Sequence, residues 1–433
     1  MKYYQKLAIL LGLIWGFSTY QRIVIAIIMP EIQKDMNFSY TKVGLVFSIT
    51  GFVWAFGTII WATIGDNHGR RKVIVCCTMV ASVFSWFTGT VHSLGQMLWV
   101  RGALGFFEGG PWGPANASLG EEAPAEKRAM FVSFPSAGAM VIGTVLGPII
   151  AVKLMGAFGS WRPVFYIISI PSFILGVVCA FVMREPASVV ERIRLRKAGQ
   201  KQVVTQEGHK AKLRDVLKYK NVVVSTVNSI PCMAWLWIYT GFSALFLTKV
   251  HNLSMDAVGL VISASGLGGF IGMVGVSRVS DSIGRKPAIM ISGFLCCLLG
   301  LGILAAPVRS SMAALAVLFF FWAMFGGGMF PLFMGPLPME AVPPEFAGTA
   351  VGVPTAIGEI LGAAALPALA GFLADKFGLY APILMATMAG LVVVVVSLFY
   401  VETAPRKVAR MLRKPTHDDH LFRRFRSKVT PAV

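Results

Sequence analysis

Four ionisable side chains stand inside long apolar stretches of this 433-residue chain: Arg22, Arg101, Glu108 and Glu359. A charge near the centre of a bilayer costs at least ~2.5 kcal/mol even on insertion scales, so residues kept there are the first candidates for chemistry. Arg101 and Glu108 are seven apart, about two helical turns, and therefore share one face. A glutamate held between desolvation and a neighbouring guanidinium is poised to exchange a proton as its surroundings alternate between wet and occluded. The other reading of the pair is a structural bridge between helices. Arg22 has no carboxylate near it in sequence, and its fork of donors suits a carboxylate or phosphate ligand unless Glu108 pairs with it permanently. Glu359 lies in GTAVGVPTAIGEILG, where it can accept a proton, hold a cation, contact a substrate hydroxyl or simply bond a neighbouring helix. All six histidines, His68, His92, His209, His251, His417 and His420, fall outside the apolar runs, which leaves any proton coupling to carboxylates.

The elements that must position these groups are apolar runs of the length that crosses a bilayer, about 20 residues. The chain is 56% hydrophobic and only 14% charged, with a mean hydropathy of +0.70, which excludes an ordinary soluble enzyme. Twelve spans are expected, at roughly 7–29, 43–64, 73–91, 97–119, 129–152 and 163–183, then 222–247, 256–277, 287–306, 312–337, 347–373 and 379–401. The reading is an all-α membrane protein in two six-helix bundles, residues 1–183 and 221–401. A cytoplasmic linker at 184–220 with one amphipathic helix joins them, and a basic cytoplasmic tail occupies 402–433. The first run resembles a signal peptide in its basic start, but Arg22 interrupts it, and it is read as the first span. The formal charge of +19 comes mostly from Lys and Arg in one alternating set of loops and tails, which places both termini in the cytoplasm and argues against nucleic-acid binding. The six cysteines read as small core residues, and no metal-ligand spacing or cofactor motif is present.

An internal repeat supports the division. Asp66-Asn67-His68-Gly69-Arg70-Arg71 follows the second span, and Asp281-Ser282-Ile283-Gly284-Arg285-Lys286 follows the eighth, with the aspartates, glycines and arginines in the same register. Gly69 and Gly284 permit a tight turn, the aspartates cap helices or pair with arginine, and Arg70 and Arg285 hold the loop at the surface. These two loops resemble the signature of the major facilitator superfamily over nearly the whole chain. That resemblance implies alternating access by two rocking halves, with Asp66, Gly69, Arg70, Asp281, Gly284 and Arg285 as a cytoplasmic gate. The alternative is that the basic residues set topology alone.

The segment Arg101–Pro114, RGALGFFEGGPWGP, with Ser160-Trp161-Arg162 and Arg184-Glu185-Pro186, resembles the anion:cation symporter branch of that superfamily. The resemblance implies a proton-coupled carrier of a small organic anion, such as a sugar acid or aromatic acid, in the inner membrane and acting as a monomer. In it Arg22 contacts the substrate carboxylate, Glu108 takes the coupling proton and Arg101 tunes Glu108. Many members carry an Asp before the first-span Arg, within N-Y-x-D-R, whereas this chain reads Ser18-Thr19-Tyr20-Gln21-Arg22. Gln21 cannot titrate, which predicts fewer protons per cycle or uniport. Gln21, Tyr239 and Glu359 complete the candidate substrate contacts. The aromatic residues Trp15, Tyr20, Phe106, Trp112, Trp235 and Phe330 can stack on a ring-bearing substrate or pack. Two other readings are export of an amphipathic compound, for which Arg22 is expendable, and a transporter-like sensor. A carrier should keep transport when the tail after Val401 is deleted, whereas a sensor should lose its signal.

Overall fold

The computed structural model describes residues 1–124, 127–197, 213–307, 310–343, 346–404 and 407. The tail beyond 407 and the middle of the linker, where sequence reading expects basic segments, lie outside the described residues. Among the described residues, eleven helices are long and apolar enough to cross a membrane: α1 (Tyr3–Met36), α2 (Tyr40–His68), α3 (Arg70–Thr88), α5 (Met130–Phe158), α6 (Arg162–Val182), α7 (Lys220–Lys249), α8 (Met255–Ile283), α9 (Arg285–Ala305), α10 (Met312–Met339), α11 (Ala347–Phe377) and α12 (Tyr380–Ser397). The remaining crossing, α4, joins the end of α3 to the start of α5. It is expected as one span but is broken into Leu94–Glu108 and Trp112–Glu122. Gly109, Gly110 and Pro111 make the break, since proline removes a backbone donor and the glycines carry no side chain. A β-carbon on Gly109 would lie 2.8 Å from the Trp54 carbonyl of α2, so the break also lets α4 press against α2. The result is an all-α protein of twelve crossings. Large apolar residues such as Ile59, Trp99 and Phe181 are exposed on its outside, the inverse of a soluble surface and the arrangement hydrocarbon tails require.

Duplication is visible in detail. Ser39 caps α2, and Ser254, at the repeat-related position, caps α8, each accepting from a backbone amide three residues on. Both α5 and α11 pass through a π-helical segment, Ala139–Leu146 and Gly358–Ala365, immediately before a helical proline, Pro148 and Pro367. Each π segment packs on the helix that opens its own half, α1 or α7.

The loop repeat forms two matching latches on the face that carries Tyr3 and Glu402. Arg70 pairs with Asp66 at 2.9 Å and with Glu121 at the end of α4, and Glu185 accepts the backbone amides of Arg70 and Arg71. In the other half Arg285 pairs with Asp281 at 2.6 Å and Glu340 at 3.0 Å, while Glu402 accepts the amides of Arg285 and Lys286. A carboxylate on the unpaired amides of a helix N-terminus satisfies both hydrogen bonding and the helix dipole. Gly69 and Gly284 have φ of +120° and +108°, and the Glu185 and Glu402 carboxylates lie where a side chain would project. Glycine is therefore required twice over at each turn. The linker helix Ala187–Lys197 joins the first latch, with Ser188 donating to Glu121 and Arg192 reaching Asp66. Glu402, the first residue of the expected basic tail, is part of the second latch, and Lys407 donates to the carbonyl of Ile283. A tail deletion intended to spare transport must begin beyond Lys407.

These latches tie each loop to its own half. The halves meet instead on the opposite face, where Asp375 at the end of α11 accepts the amides of Tyr40 and Thr41 at 2.8 and 2.9 Å and the Thr41 hydroxyl at 2.5 Å. Further along the same two helices, Ser48 of α2 accepts the amide of Ala368. Asp375 thus caps α2 from the other half of the molecule. Asp375→Ala should loosen this face, measured as a longer distance between spin labels at Leu45 and Leu369, whereas Asp256→Ala on the neighbouring surface should leave it unchanged.

Candidate functional site

Arg101 is 1% exposed and donates to two carbonyls of α1, those of Gln21 at 3.1 Å and Arg22 at 2.6 Å. Helix carbonyls have a second lone pair, and a guanidinium fork two atoms wide matches two successive ones. Arg101 is therefore fixed, and it holds the α1 backbone at the residue that carries the other cation. Its Nε has no partner among the described residues, and its two hydrogen bonds both go to α1.

Arg22 is held less tightly. Its Nε lies 3.4 Å from Glu108 Oε1, and its guanidinium carbon stands 5.2 Å from the ring centre of Trp54 on α2 and 5.8 Å from that of Trp237 on α7. The π segment that carries Glu359 packs on α2 and α7, the helices that carry these two rings. Among the described residues, neither oxygen of Glu108 accepts a hydrogen bond, and Arg22 Nε donates none. A carboxylate that is 1% exposed and accepts nothing is costly if ionised, so this pair is an open arrangement with donor and acceptor capacity to spare. Sequence spacing places Arg101 beside Glu108 on one face; the folded chain adds Arg22 to that face and gives it the closer contact.

Glu359 sits in the π segment of α11, 8% exposed, with Oε2 unpartnered. A π turn accommodates an extra residue in the helix, which the sequence pattern does not announce. Gln21 turns away from Arg22 and donates to the carbonyl of Ile168 on α6 at 3.4 Å, with its oxygen unpartnered. Tyr239 lies in an aromatic cluster of the second half. It stacks on Trp235 with ring centres 5.0 Å apart, meets Trp322 edge-on and bonds Ser265. The structure thus brings Arg22, Arg101 and Glu108 together with Glu359 nearby, and sets Gln21 and Tyr239 into packing within their own halves. The residues expected as a gate, Asp66, Gly69, Arg70, Asp281, Gly284 and Arg285, form the latches described above. Trp54 and Trp237, the two rings against Arg22, were not singled out from the sequence. The signal for Trp237 was present, because it is offset from Arg22 as Asp281 is from Asp66 in the loop repeat.

A twelve-crossing duplicated bundle with buried charge between its halves defines a membrane transporter. The sequence model of the Major Facilitator Superfamily matches residues 11–365, and the chain belongs to that family. Among relatives, it is 25% identical to a hexuronate transporter of Bacillus subtilis over 268 residues, 62% of each chain. It is 31% identical to the multidrug resistance protein MdtG of Dickeya zeae over 166 residues, 38% of this chain and 40% of that one. The chain therefore aligns with less than two thirds of either relative. Its fold is similar to that of a bacterial homologue of the human lysosomal transporter Spinster in an inward-facing, unoccupied conformation, with a TM-score of 0.74 at 17% identity, covering 92% of this chain and 96% of that one. The family and its members are transporters, not enzymes.

Arg101→Met should destabilise the protein by about 3–5 kcal/mol, because it removes a buried cation from two carbonyls and from the field of Glu108. Arg101→Lys should recover part of this, since one ammonium cannot span both carbonyls in the plane of the fork; thermal unfolding in detergent measures both.

Proposed function

We propose that this protein carries a small organic anion across the membrane by alternating access, with Glu108 taking up the coupling proton. The observation that carries the reading is the unfinished contact between Arg22 and Glu108. While Glu108 is ionised it neutralises Arg22; once protonated it leaves the guanidinium free for the carboxylate of a substrate. Proton and anion then load together, because each removes the charge that the other leaves unbalanced. Arg101 fixes the α1 backbone during the cycle and adds a positive field, and Glu359 offers a second acid from the other half. Gln21 supplies no proton site, which favours a single proton per anion through Glu108. Similarity to a hexuronate transporter supports an anionic substrate.

The excess of Lys and Arg on the face that carries the latches favours the inner membrane with both termini cytoplasmic. The arrangement described is then inward-facing, closed by Asp375 on the outer side. In the reverse state the loops of Arg70 and Arg285 would meet across the halves as the cytoplasmic gate, and the protein works as a monomer.

In proteoliposomes, Arg22→Ala should abolish uptake of the transported carboxylate. Glu108→Gln should stop accumulation driven by a proton gradient while sparing exchange of labelled for unlabelled substrate. Full accumulation by Glu108→Gln would remove Glu108 from coupling. The similarity to MdtG favours a second reading, export of an amphipathic compound; efflux of such a compound that persists in Arg22→Ala would select it.

A further inference from the structure

Resting on the anion reading above, we infer that the substrate is a planar aromatic or conjugated carboxylate, its carboxylate meeting Arg22 and its ring lying against Trp237 and Trp54. The first observation is the aromatic surround of Arg22. Its guanidinium lies against two indoles, Trp54 on α2 of its own half and Trp237 on α7 of the other, at 5.2 and 5.8 Å from the ring centres. Aromatic faces attract a cation and also stack on other rings, so a body bound to this guanidinium enters a space already walled by π surfaces.

A second observation comes from the repeat. Arg22 and Trp237 occupy the same register of the two halves, and they face each other. One half presents the charge and its counterpart presents a flat apolar surface, which matches a ligand with an anionic end and a flat end.

The third observation is the polar inventory. The indole N–H groups of Trp54 and Trp237 have no acceptor, although Trp237 is only 7% exposed, and Glu359 Oε2 has no donor. Buried polar atoms in a native protein are normally paired, so unpartnered donors beside a cation indicate an acceptor-rich group that arrives with the ligand. Recognition of a sugar acid instead needs paired donors and acceptors for several hydroxyls, usually side-chain amides. The buried side-chain amides of the described residues, Gln21, Asn221 and Asn228, each already donate to protein partners, although the oxygens of Gln21 and Asn228 accept nothing. Indole donors and flat walls beside Arg22 fit an arene carboxylate carrying few hydroxyls.

The test is calorimetric titration of the purified full-length protein with benzoate, cinnamate, cyclohexanecarboxylate and glucuronate, which share one negative charge. Benzoate or cinnamate should bind at least tenfold tighter than both cyclohexanecarboxylate and glucuronate. Trp237→Leu should erase the preference for the flat ring over cyclohexanecarboxylate, and Trp237→Phe should retain most of it. If Trp237→Leu does not fold, Trp54→Leu on half-buried α2 makes the same comparison. Equal affinity for flat and saturated rings, or tighter binding of glucuronate, overturns the planar-ring inference and leaves the anion reading standing. Binding of any of these carboxylates that survives Arg22→Gln unchanged, or no binding of any of them, overturns both.

Discussion

The two hydrogen bonds from Arg101 to the carbonyls of Gln21 and Arg22 hold the centre of the first half together. In a medium without water a guanidinium must find its acceptors within the protein, and here it finds them on the backbone of a neighbouring helix. That choice fixes α4 against α1 and leaves Glu108, two turns away, without a hydrogen-bonded partner. It also directs Arg22 toward the interface between the halves. Arg101 is thus the anchor, and the looser pair of Arg22 and Glu108 is the part free to change.

Around this asymmetric centre the rest of the molecule is repetitive. Each half has an arginine latch with a glutamate on the amides of the following helix, a serine cap on its second helix, and a π segment ahead of a proline. These shared features set turns, helix ends and bends, which both halves need alike. At the interface the halves differ: arginine faces tryptophan at the repeat-related position, and Asp375 caps α2 from α11 with no acid at the corresponding place after α5. Charge is concentrated in one half and aromatic surface in the other, so a ligand bridging them touches both whenever the halves rock. On the proposed mechanism this is how loading is sensed by the whole bundle.

The latches also explain why the loop repeat spreads beyond its own six residues. Glu185 and Glu402 come from the ends of α6 and α12, distant in sequence, yet they satisfy amides that a helix cannot bond internally. Removal of either would leave those amides to compete for lipid headgroups or water. The linker helix adds Ser188 and Arg192 to the first latch, which couples the connection between the halves to the loop between α2 and α3.

The sequence by itself determined the class of fold, because apolar length, one-sided basic charge and a repeated turn each follow from local chemistry that a bilayer imposes. It also determined which residues bear the cost of buried charge, since Arg22, Arg101, Glu108 and Glu359 interrupt runs that are otherwise apolar. Only the tertiary structure decided their partners. Spacing along one helix relates Arg101 to Glu108, but the choice of α1 carbonyls for Arg101, of Glu108 and two indoles for Arg22, and of Ile168 for Gln21 depends on how helices from distant parts of the chain are rotated against each other. The break in α4 is written locally in Gly109, Gly110 and Pro111, but those rotations depend on packing between helices, which no single stretch of sequence contains.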